Sequence, residues 1–582
     1  MRAKTGINIK VFLTWLLVAL LTLGLYIYTR TPAVGLIDSG ELAAGCYLLN
    51  ILHPTGYPIY TILGRFFSLL PAGSIINRLA LLSAVFSVAG LLMILLLCQK
   101  LNFNLIISST VALLIAVSPP LWSVSVDAEV YSLTFFMNCL LWFVLINSTK
   151  QPRLLLLSYL AGLTLTNHLT GLWTVIGVII TLILTWRCKL IRPAPLLSLL
   201  FLLGLSPYLF LIIRARAQPL FAWGNPVDFE RFWWHITGRQ YRVWMFSSSF
   251  SNVLQNGRYG ILLIARTFGY LLIPPVIYGW VILLRQNRPL AIGLTITTLL
   301  SLLYAVNYGI PDIDAYYLPA ITALALFAIW GMEALYRRFR KYLYLMSILP
   351  LIMLVLNYPH QNRNQDWVAY DQALNTLKSA DSGAIIITDW WDIYAPIFYL
   401  QEIEKMRPDV SIIDKELLRR SWYFNYLEKK YPLLTRNSRN EIQHFLHQLL
   451  LFEYRLPYDP IAIQESYIRL LRSFFFNNPA RPVYTTFAPG SGNDAQQLLT
   501  GFQVVPIGIL YQVRADSLIP EFDYRILQVR IPRFGLNERS KFNLDRYRIF
   551  AQQRIALLSR LNRTAEAQLV ASWYKKMFSN YQ

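Results

Sequence analysis

Residues 76–97 read INRLALLSAVFSVAGLLMILLL, an apolar run with one charged side chain, Arg78, near its start. A helix that crosses the hydrocarbon core of a bilayer needs about 20 mostly apolar residues, so this run predicts a membrane span. Other stretches of the same character bring the predicted number of transmembrane helices to about eleven. The predicted spans are 11–29, 76–97, 104–121, 130–147, 154–166, 169–186, 194–213, 260–284, 289–306, 317–335 and 343–356.

The overall composition fits a polytopic α-helical membrane protein with a large water-facing part. Of the 582 residues, 55% are hydrophobic and only 14% are charged, whereas an ordinary soluble domain carries about 25% charged residues. These proportions exclude a disordered chain, a fibrous repeat and a plain cytosolic enzyme. We predict a transmembrane domain over 1–357, with long external loops at 30–75 and 214–259, and an exported soluble domain over 358–582.

The net charge of +22 is distributed as an orientation signal. Only nine of the 31 acidic residues precede residue 358. Alternate loops between the predicted spans are basic and lack acidic residues; they carry Lys100, Lys150, Arg153, Arg187, Lys189, Arg192, Arg285, Arg288, Arg337, Arg338, Arg340 and Lys341. The positive-inside rule therefore places these loops in the cytoplasm, together with the N-terminus and its Arg2, Lys4 and Lys10. This pattern explains the excess charge without a nucleic-acid partner, and we predict none.

The region after the last predicted span alternates between two kinds of pattern. Short β-type runs occur at 384–388, 410–413 and 483–487, and helix-like stretches at 366–378 and 417–430 lie between them. This alternation predicts a mixed α/β or α-rich domain. The strongly helical stretch 543–577 predicts a helical hairpin at its end, and the mixed apolar stretch 57–70 in the first external loop predicts an interfacial helix.

Polar residues gather in the external loops beside the predicted spans. The first group is Asp38-Ser39-Gly40-Glu41, shortly after the first span. On a helix, the carboxylates of Asp38 and Glu41 at positions i and i+3 would share one face. The same spacing before an apolar stretch is also a helix-capping signature. Both interpretations stay open, since a capping position at the membrane surface can also present a carboxylate to a substrate.

The next groups combine turn-forming residues with histidine, tyrosine and carboxylates. His53-Pro54-Thr55-Gly56-Tyr57-Pro58 predicts a tight turn, which either is purely structural or directs His53 and Tyr57 into a cavity. Asp127 and Glu129 follow the third predicted span. His168 lies in a short turn between two apolar helices, where a single histidine is most often a structural residue.

The remaining candidates are arginines and a carboxylate–tyrosine motif. Arg214 and Arg239 lie in a tryptophan-rich external loop. Aromatic belts account for many tryptophans at this depth, but the orientation rule disfavours arginines there, and a guanidinium fork suits phosphate. Asp312, Asp314, Tyr316 and Tyr317 precede the tenth predicted span. They could bind a cation, but two carboxylates are too few to indicate a metal site.

The order of these motifs resembles the transmembrane protein 260 family of protein O-mannosyltransferases and their bacterial relatives. The resemblance also includes Trp223-Gly224-Asn225-Pro226, Ile387-Thr388-Asp389 and Arg407-Pro408-Asp409-Val410, and it covers roughly the first 430 residues. It implies a GT-C glycosyltransferase fold with Asp38 as the catalytic base, supported by Glu41. On this interpretation His53 and His168 orient or neutralise the leaving group. Arg214 and Arg239 would hold the donor phosphate, an assignment that rests on their charge and location.

The resemblance implies an inverting transfer of a sugar, with mannose as the expected sugar, from a polyprenyl-phosphate carrier to Ser or Thr of exported proteins. The implied partners are membrane lipid, the lipid-linked donor and a protein acceptor, and the resemblance implies no cofactor and no metal. We expect a bacterial inner membrane protein whose C-terminal domain is periplasmic. The alternatives are a transporter or flippase for a lipid-linked sugar or other anionic substrate, and a scaffold whose C-terminal domain is the functional part. Proline pairs at 119–120 and 274–275 would suit the broken helices of a transporter.

Overall fold

The computed structural model describes residues 9–147 and 151–579; Arg2, Lys4 and Lys150 of the predicted orientation signal lie outside the described residues. The chain forms two compact units. The first, here called the membrane unit, comprises Met1–Arg30, His53–Arg216 and Val227–Asn364. The second, the C-terminal unit, comprises Thr31–Leu52, Ala217–Pro226 and Gln365–Gln582. Segments from both predicted external loops therefore belong to the same unit as the residues after the last predicted span.

Most of the chain is α-helical. In chain order the helices are α1 (Ile9–Thr29), α2 (Ser39–Leu48), α3 (Pro58–Ser68), α4 (Ile75–Lys100), α5 (Leu105–Ala116), α6 (Pro119–Ser125), α7 (Tyr131–Ile146), α8 (Gln151–Leu165), α9 (Gly171–Trp186), α10 (Ala194–Gly204), α11 (Leu209–Arg216), α12 (Phe229–Ile236), α13 (Phe250–Thr267), α14 (Ile273–Gln286), α15 (Arg288–Val306), α16 (Leu318–Leu345), α17 (Leu349–Gln361), α18 (Val368–Ser379), α19 (Trp391–Glu402), α20 (Tyr423–Lys430), α21 (Pro432–Asn437), α22 (Arg439–Glu453), α23 (Pro460–Phe476), α24 (Asn493–Leu499), α25 (Glu538–Arg560) and α26 (Thr564–Met577).

The membrane unit holds the apolar helices. Within the described residues, six helical stretches are long and apolar enough to cross a bilayer, and a bent pair raises this number to as many as seven. The six are Ile9–Thr29, Ile75–Lys100, Gly171–Leu190, Ala194–Arg216, Arg288–Val306 and Ile313–Tyr336. Each coincides with a predicted span, whereas α7 and the apolar part of α8 are shorter. The chain is an integral membrane protein, but the predicted number of eleven spans is not confirmed.

Two predicted spans are not continuous helices. The predicted helix over 104–121 is instead α5 followed by α6, bent by 65°. The predicted helix over 260–284 is interrupted between α13 and α14, where Gly269 and Tyr270 have φ of 57° and 60°. In both cases a proline pair stands in the first turn of the second helix. Proline lacks an N–H and so begins a helix readily but interrupts one that is already formed.

The C-terminal unit is a mixed α/β domain, which is one of the two predicted alternatives. Its strands are β1 (Ile385–Thr388), β2 (Ser411–Asp414), β3 (Val483–Thr485), β4 (Gln503–Ile507) and β5 (Leu510–Arg514), in the order β2-β1-β3-β5-β4. The first three strands are parallel, whereas β5 is antiparallel to both of its neighbours. The first three strands confirm the predicted β-type runs, and β4 and β5 were not predicted.

The predicted helical hairpin is confirmed by α25 and α26, which end the described chain. Its apolar side chains form a buried core with the neighbouring sheet and loops; members include Tyr511, Tyr524, Tyr547, Phe550 and Trp573. The first turn of α25 carries Arg539, whose side chain reaches the beginning of α19. The hairpin core therefore fixes the end of a helix that takes part in the site described below.

Candidate active site

Asp38 stands at the amino end of α2 in the C-terminal unit. It occupies the N-cap position, but its side chain makes no capping hydrogen bond. Instead, Oδ1 of Asp38 accepts a hydrogen bond of 2.8 Å from the indole Nε1 of Trp391. The capping interpretation is therefore wrong for this side chain. An ionised carboxylate has acceptor sites on both oxygens, so a half-buried aspartate is a chemically suitable proton acceptor.

Glu41 lies in the first turn of α2, and only 2% of its surface is exposed. That turn packs directly on the backbone of α19. A Cβ atom at Gly40 would lie 2.3 Å from the carbonyl oxygen of Ala395, which is far closer than a side-chain carbon can approach. Glycine at position 40 therefore allows the approach of the two helices that brings Asp38 to Trp391.

Asp392 is a buried carboxylate beside this pair, with no exposed surface. It accepts hydrogen bonds from the backbone N–H of Ile37 at 3.1 Å and from Nδ2 of Asn543 at 3.0 Å. Nε of Arg539 lies 2.9 Å from Oδ1 and 2.7 Å from Oδ2 of the same carboxylate. We call Asp392, Ile37, Arg539 and Asn543 the Asp392 network. A buried carboxylate is tolerable here because a cation and further donors pair with it.

The sequence-based prediction missed Trp391, Asp392, Arg539 and Asn543. One signal could have indicated the first two, because Trp390-Trp391-Asp392 follows the predicted strand β1 after a single residue. Functional side chains gather at the carboxyl ends of parallel strands. The two residues of α25 have no comparable signal, because only the fold brings that helix to α19.

The segment Ala217–Pro226 joins the same unit through its backbone and aromatic rings. Ile51 donates its N–H to the carbonyl of Phe221 at 3.1 Å, and its own carbonyl accepts from the N–H of Trp223 at 3.2 Å. The ring of Trp223 lies 5.5 Å from that of Trp391 and 5.1 Å from that of Trp422. The tryptophan of the family-like motif at 223–226 therefore packs against the residue that binds Asp38.

In the membrane unit, the segment 53–58 forms the predicted turn. The N–H of Gly56 donates to the carbonyl of His53 at 2.8 Å, and Gly56 has a φ of +89°, a conformation that glycine adopts without strain. The hydroxyl of Tyr57 lies 2.9 Å from Nε2 of His53 and also donates to the carbonyl of Pro54 at 3.0 Å. The turn thus brings His53 and Tyr57 into direct contact with each other.

His168 is the centre of a group of aromatic rings that we call the His168 cluster. Its ring lies 5.5 Å from Tyr57, 4.8 Å from Tyr131 and 5.4 Å from Tyr316. The backbone N–H of Thr170 donates to Nδ1 of His168 at 3.1 Å. Burial lowers the pKa of His168 to about 3, and the nearby His53 contributes to the same shift to a smaller extent. The ring is therefore neutral near pH 7, and the predicted role of neutralising a leaving group by its charge does not fit; orientation through Nε2 stays a prediction.

The carboxylates at 312 and 314 have separate partners. Tyr131 donates its hydroxyl to Oδ2 of Asp312 at 3.3 Å, which connects that residue to the His168 cluster. Tyr259 donates to Oδ1 of Asp314 at 2.5 Å. Tyr317 is buried against α13, where a Cβ atom at Gly260 would lie 2.5 Å from its hydroxyl. The motif therefore divides between the cluster and the surroundings of α13.

The last candidates differ in their surroundings. Asp127 is buried, and its Oδ1 accepts the N–H of Ala128 at 2.7 Å. The backbone N–H of Glu129 donates to the hydroxyl of Ser83 at 3.2 Å. The guanidinium of Arg239 lies 3.9 Å above the ring of Trp234, and Arg214 is half-buried in the last turn of α11. Arg214 and Arg239, which the prediction assigned to the donor phosphate, are therefore both half-buried in the membrane unit.

Two family models match segments that carry some of these motifs. The model described as the Protein O-mannosyl-transferase TMEM260 N-terminal domain matches residues 38–191, and TMEM260-associated domain 2 matches residues 369–438. Over these two segments the chain is similar to the TMEM260 family. The first match begins at Asp38 and includes His53, Asp127 and His168, and the second includes the beginning of α19.

Curated relatives agree with the family models. The chain is 23% identical over 439 residues to protein O-mannosyl-transferase TMEM260 of Mus musculus, a match that covers 68% of this chain and 61% of the mouse protein. It is 22% identical over 471 residues to the Dictyostelium discoideum protein of the same name, covering 69% of this chain and 56% of that protein. The chain therefore spans less than two thirds of the length of either relative.

Solved structures identify the fold. ArnT from Cupriavidus metallidurans bound to undecaprenyl phosphate superposes with a TM-score of 0.54 at 10% identity, covering 87% of this chain and 98% of ArnT. The apo state of the same protein gives a TM-score of 0.54 at 12% identity, covering 86% and 97%. The expected GT-C fold is confirmed.

Proposed function

We propose that this protein is a GT-C glycosyltransferase that moves a sugar, mannose, from a polyprenyl-phosphate carrier to Ser or Thr of exported proteins on the non-cytosolic face. The observation that carries the proposal is the half-buried carboxylate of Asp38, which Trp391 holds at 2.8 Å. Support comes from two relatives named protein O-mannosyl-transferase and from the similarity to ArnT, which binds undecaprenyl phosphate.

The proposed reaction is a single displacement. The acceptor hydroxyl oxygen attacks the anomeric carbon of the sugar, and the bond from that carbon to the phosphate oxygen breaks. The hydroxyl proton passes to the carboxylate of Asp38, and polyprenyl phosphate leaves with the bonding electron pair. A displacement of this kind inverts the anomeric configuration. It requires the carboxylate to come within about 3 Å of the hydroxyl it activates, and Glu41, three residues away in the same helical turn, would support its placement.

Residues of the membrane unit would bind the donor. Arginine binds phosphate through its planar fork, and the stacking of Arg239 on Trp234 limits the directions that this side chain can take. Arg214 is the second candidate for the phosphate. The His168 cluster offers aromatic faces that would line the path of the lipid or pack against the sugar.

The proposed location is the inner membrane of a bacterium, with the N-terminus in the cytoplasm and the C-terminal unit in the periplasm. Support comes from the basic loops, which the orientation rule places on the cytoplasmic side. Acidic candidate residues such as Asp38 of the C-terminal unit and Asp312 of the membrane unit fall in loops that this orientation places outside. The proposed acceptors are exported proteins for the same reason.

A transporter or flippase of a lipid-linked sugar is the second candidate, because both predicted helix breaks are present. The pair of helices α5 and α6 is bent by 65° at the break between them, and α13 ends before the proline pair of α14. Broken helices are typical of transporter substrate sites. Transport would move the lipid-linked sugar across vesicles without a covalent product, whereas transfer forms a new glycosidic bond.

The variant Asp38→Asn tests the proposal. The full chain is reconstituted in vesicles with undecaprenyl phosphate mannose and a Ser/Thr-rich peptide, and mannosylated peptide is measured by mass spectrometry. We expect the rate of transfer to fall about 10²- to 10⁴-fold, since the carboxamide cannot accept the hydroxyl proton. The control is Asp545→Asn, which changes a half-exposed carboxylate of α25 in the same way and should transfer at the parent rate.

Two results of this assay would contradict the proposal. Full activity of Asp38→Asn would remove Asp38 from the mechanism, and flux of the lipid-linked sugar without mannosylated peptide would favour the transporter. The assay contains EDTA, because the proposed reaction uses no metal ion. A requirement for added Mg²⁺ or Mn²⁺ would overturn that part of the proposal.

A further inference from the structure

We infer that Trp391, Asp392 and Arg539 are positioning residues for Asp38, so that the C-terminal helical hairpin sets the geometry of the first external loop. The inference rests on the proposed function, in which Asp38 is the base. It assigns a role to residues in 358–582, a region in which no site residue was predicted. All the contacts that carry it lie within the C-terminal unit.

The first step is the direct contact of Trp391 with Asp38. An indole has one donor, Nε1–H, and here it points to Oδ1 of Asp38. The direction of that donor is fixed because the ring packs between Trp223 at 5.5 Å and Tyr394 at 5.6 Å. A fixed donor therefore restricts the orientation of this carboxylate.

The second step is the backbone immediately before Asp38. Ile37 has a φ of 62°, in the left-handed region that β-branched residues rarely adopt. The hydrogen bond from its N–H to Oδ1 of Asp392 holds this conformation. Because Asp392 and Trp391 are adjacent, the beginning of α19 binds both the side chain of Asp38 and the backbone of the residue that precedes it.

The third step connects Asp392 to the hairpin. Arg539 and Asn543 are four residues apart on α25, so both side chains project from one face of the helix towards Asp392. The first turn of α25 is itself fixed, because Oδ1 of Asn537 accepts the N–H of Ser540 at 2.7 Å. The guanidinium also pairs the buried carboxylate with a cation, which offsets the cost of burying it.

The variant Trp391→Phe tests the contact with Asp38. It keeps an aromatic ring between Trp223 and Tyr394 and removes only the indole donor. We expect kcat for transfer from undecaprenyl phosphate mannose to fall about 10- to 100-fold. The KM for the donor should stay within about twofold, since a misdirected base weakens the transition state and not donor binding. The matched control is Trp422→Phe, a buried indole in the same aromatic group, which should retain the parent kcat.

The variant Arg539→Gln tests the connection through Asp392. We expect faster hydrogen–deuterium exchange in peptides covering 35–42, while peptides of the hairpin core at 547–573 keep their protection. The conservative variant Arg539→Lys restores the charge and should recover part of the transfer rate. If Arg539→Gln does not fold, Trp391→Phe decides alone, since that substitution leaves every charge in place.

The outcomes separate this inference from the proposed function. If Asp38→Asn is inactive and Trp391→Phe has the parent kcat, the positioning role is overturned while Asp38 remains the base. The positioning role is also overturned if a folded Arg539→Gln variant shows unchanged exchange at 35–42. If Asp38→Asn is active, the proposed function fails first, whatever the result for Trp391→Phe.

Discussion

The His168 cluster of the membrane unit and the Asp392 network of the C-terminal unit both hold polar groups out of water, but they do so differently. The cluster surrounds a neutral imidazole with tyrosine rings, and burial holds the pKa of His168 at about 3. The network keeps a carboxylate in place by pairing it with Arg539 and two further donors. A buried group can therefore be stabilised either by losing its charge or by pairing it.

The difference determines how each region tolerates change. Rings that pack around a neutral group provide contacts in many directions, so no single neighbour carries the arrangement. A paired carboxylate depends on its few donors, and the loss of one leaves a buried charge incompletely paired. We therefore expect the Asp392 network to lose function through small displacements, and the His168 cluster to respond mainly to protonation.

Among the substitutions that test this contrast, Gly40→Val is expected to have the largest effect, because it displaces the Asp392 network without altering a charge. A Cβ atom at this position would lie 2.3 Å from the carbonyl oxygen of Ala395, so α2 and α19 must separate. Overpacking of this kind costs about 3 kcal/mol, and the separation breaks the hydrogen bond from Trp391 to Asp38. Transfer in the vesicle assay should fall at least about tenfold, and the apparent melting temperature of the purified chain should decrease.

The control for this variant is Gly490→Val in the same unit. A Cβ atom at Gly490 has no neighbour within 4 Å, so this substitution adds the same side chain without the clash. It should melt and transfer like the parent. A Gly40→Val protein with the parent rate of transfer would mean that the close approach of α2 and α19 does not hold Asp38, and the contrast between the two regions would lose its basis.

Much of the fold follows from patterns that are local in the sequence. Apolar length predicts helices such as α4 and α15, and the β-type runs predict β1 to β3. Antiparallel strands β4 and β5 escaped prediction because their sequences, QVVPI and LYQVR, are short and mix polar with apolar residues. The sequence indicated the helix breaks only under the transporter alternative, since a proline pair can either begin a helix or interrupt one.

The candidate site was predicted in part for the same reason. Motifs within a few residues of each other, such as Asp38 with Glu41 and His53 with Tyr57, are visible in the sequence. The spacing could not show whether the carboxylate of Asp38 caps its helix, because that depends on Trp391. The pairing of Asp392 with Arg539 depends on how α25 packs, and no local pattern encodes it.

A second, smaller effect is expected from Asp414→Asn at the carboxyl end of β2. Burial raises the pKa of Asp414 to about 7, although the N–H of Leu417 donates to its Oδ1 at 2.8 Å. Because an unfolded aspartate has a pKa of about 3.9, the folded chain binds one more proton between these values. The free energy of unfolding therefore falls as pH rises from about 4 to about 7, by about 1.4 kcal/mol per unit.

Asparagine at 414 keeps an oxygen acceptor for Leu417 and does not ionise. The variant should show a flatter pH dependence from pH 5 to pH 7, measured by hydrogen–deuterium exchange of peptides around β2. Asp545→Asn on the surface of α25 serves as the control and should keep the parent slope. If Asp414→Asn also keeps that slope, the buried carboxyl does not bind the extra proton.

The smallest effect over the same pH range is expected from His168→Gln. The contribution of His168 to the pH dependence of the free energy of unfolding has the opposite sign to that of Asp414. An unfolded histidine has a pKa of about 6.5, whereas that of His168 is about 3, so the unfolded chain binds the extra proton. The free energy of unfolding therefore falls as pH decreases below about 6.5, again by about 1.4 kcal/mol per unit. From pH 7 to pH 5 this acts over about 1.5 units, and glutamine should remove it.

Exchange of peptides that cover 160–175 measures this effect in the membrane unit, and His444→Gln on the exposed face of α22 is the control. The parent should open more readily at pH 5 than at pH 7 around His168, whereas around Asp414 it should open more readily at pH 7. A parent chain in which the peptides around Asp414 and those around His168 respond to pH in the same direction would contradict the opposite pKa shifts of the two groups. Equal slopes for the parent and His168→Gln would mean that the imidazole accepts a proton within its ring of tyrosines, and the leaving-group role through its charge would then fit after all.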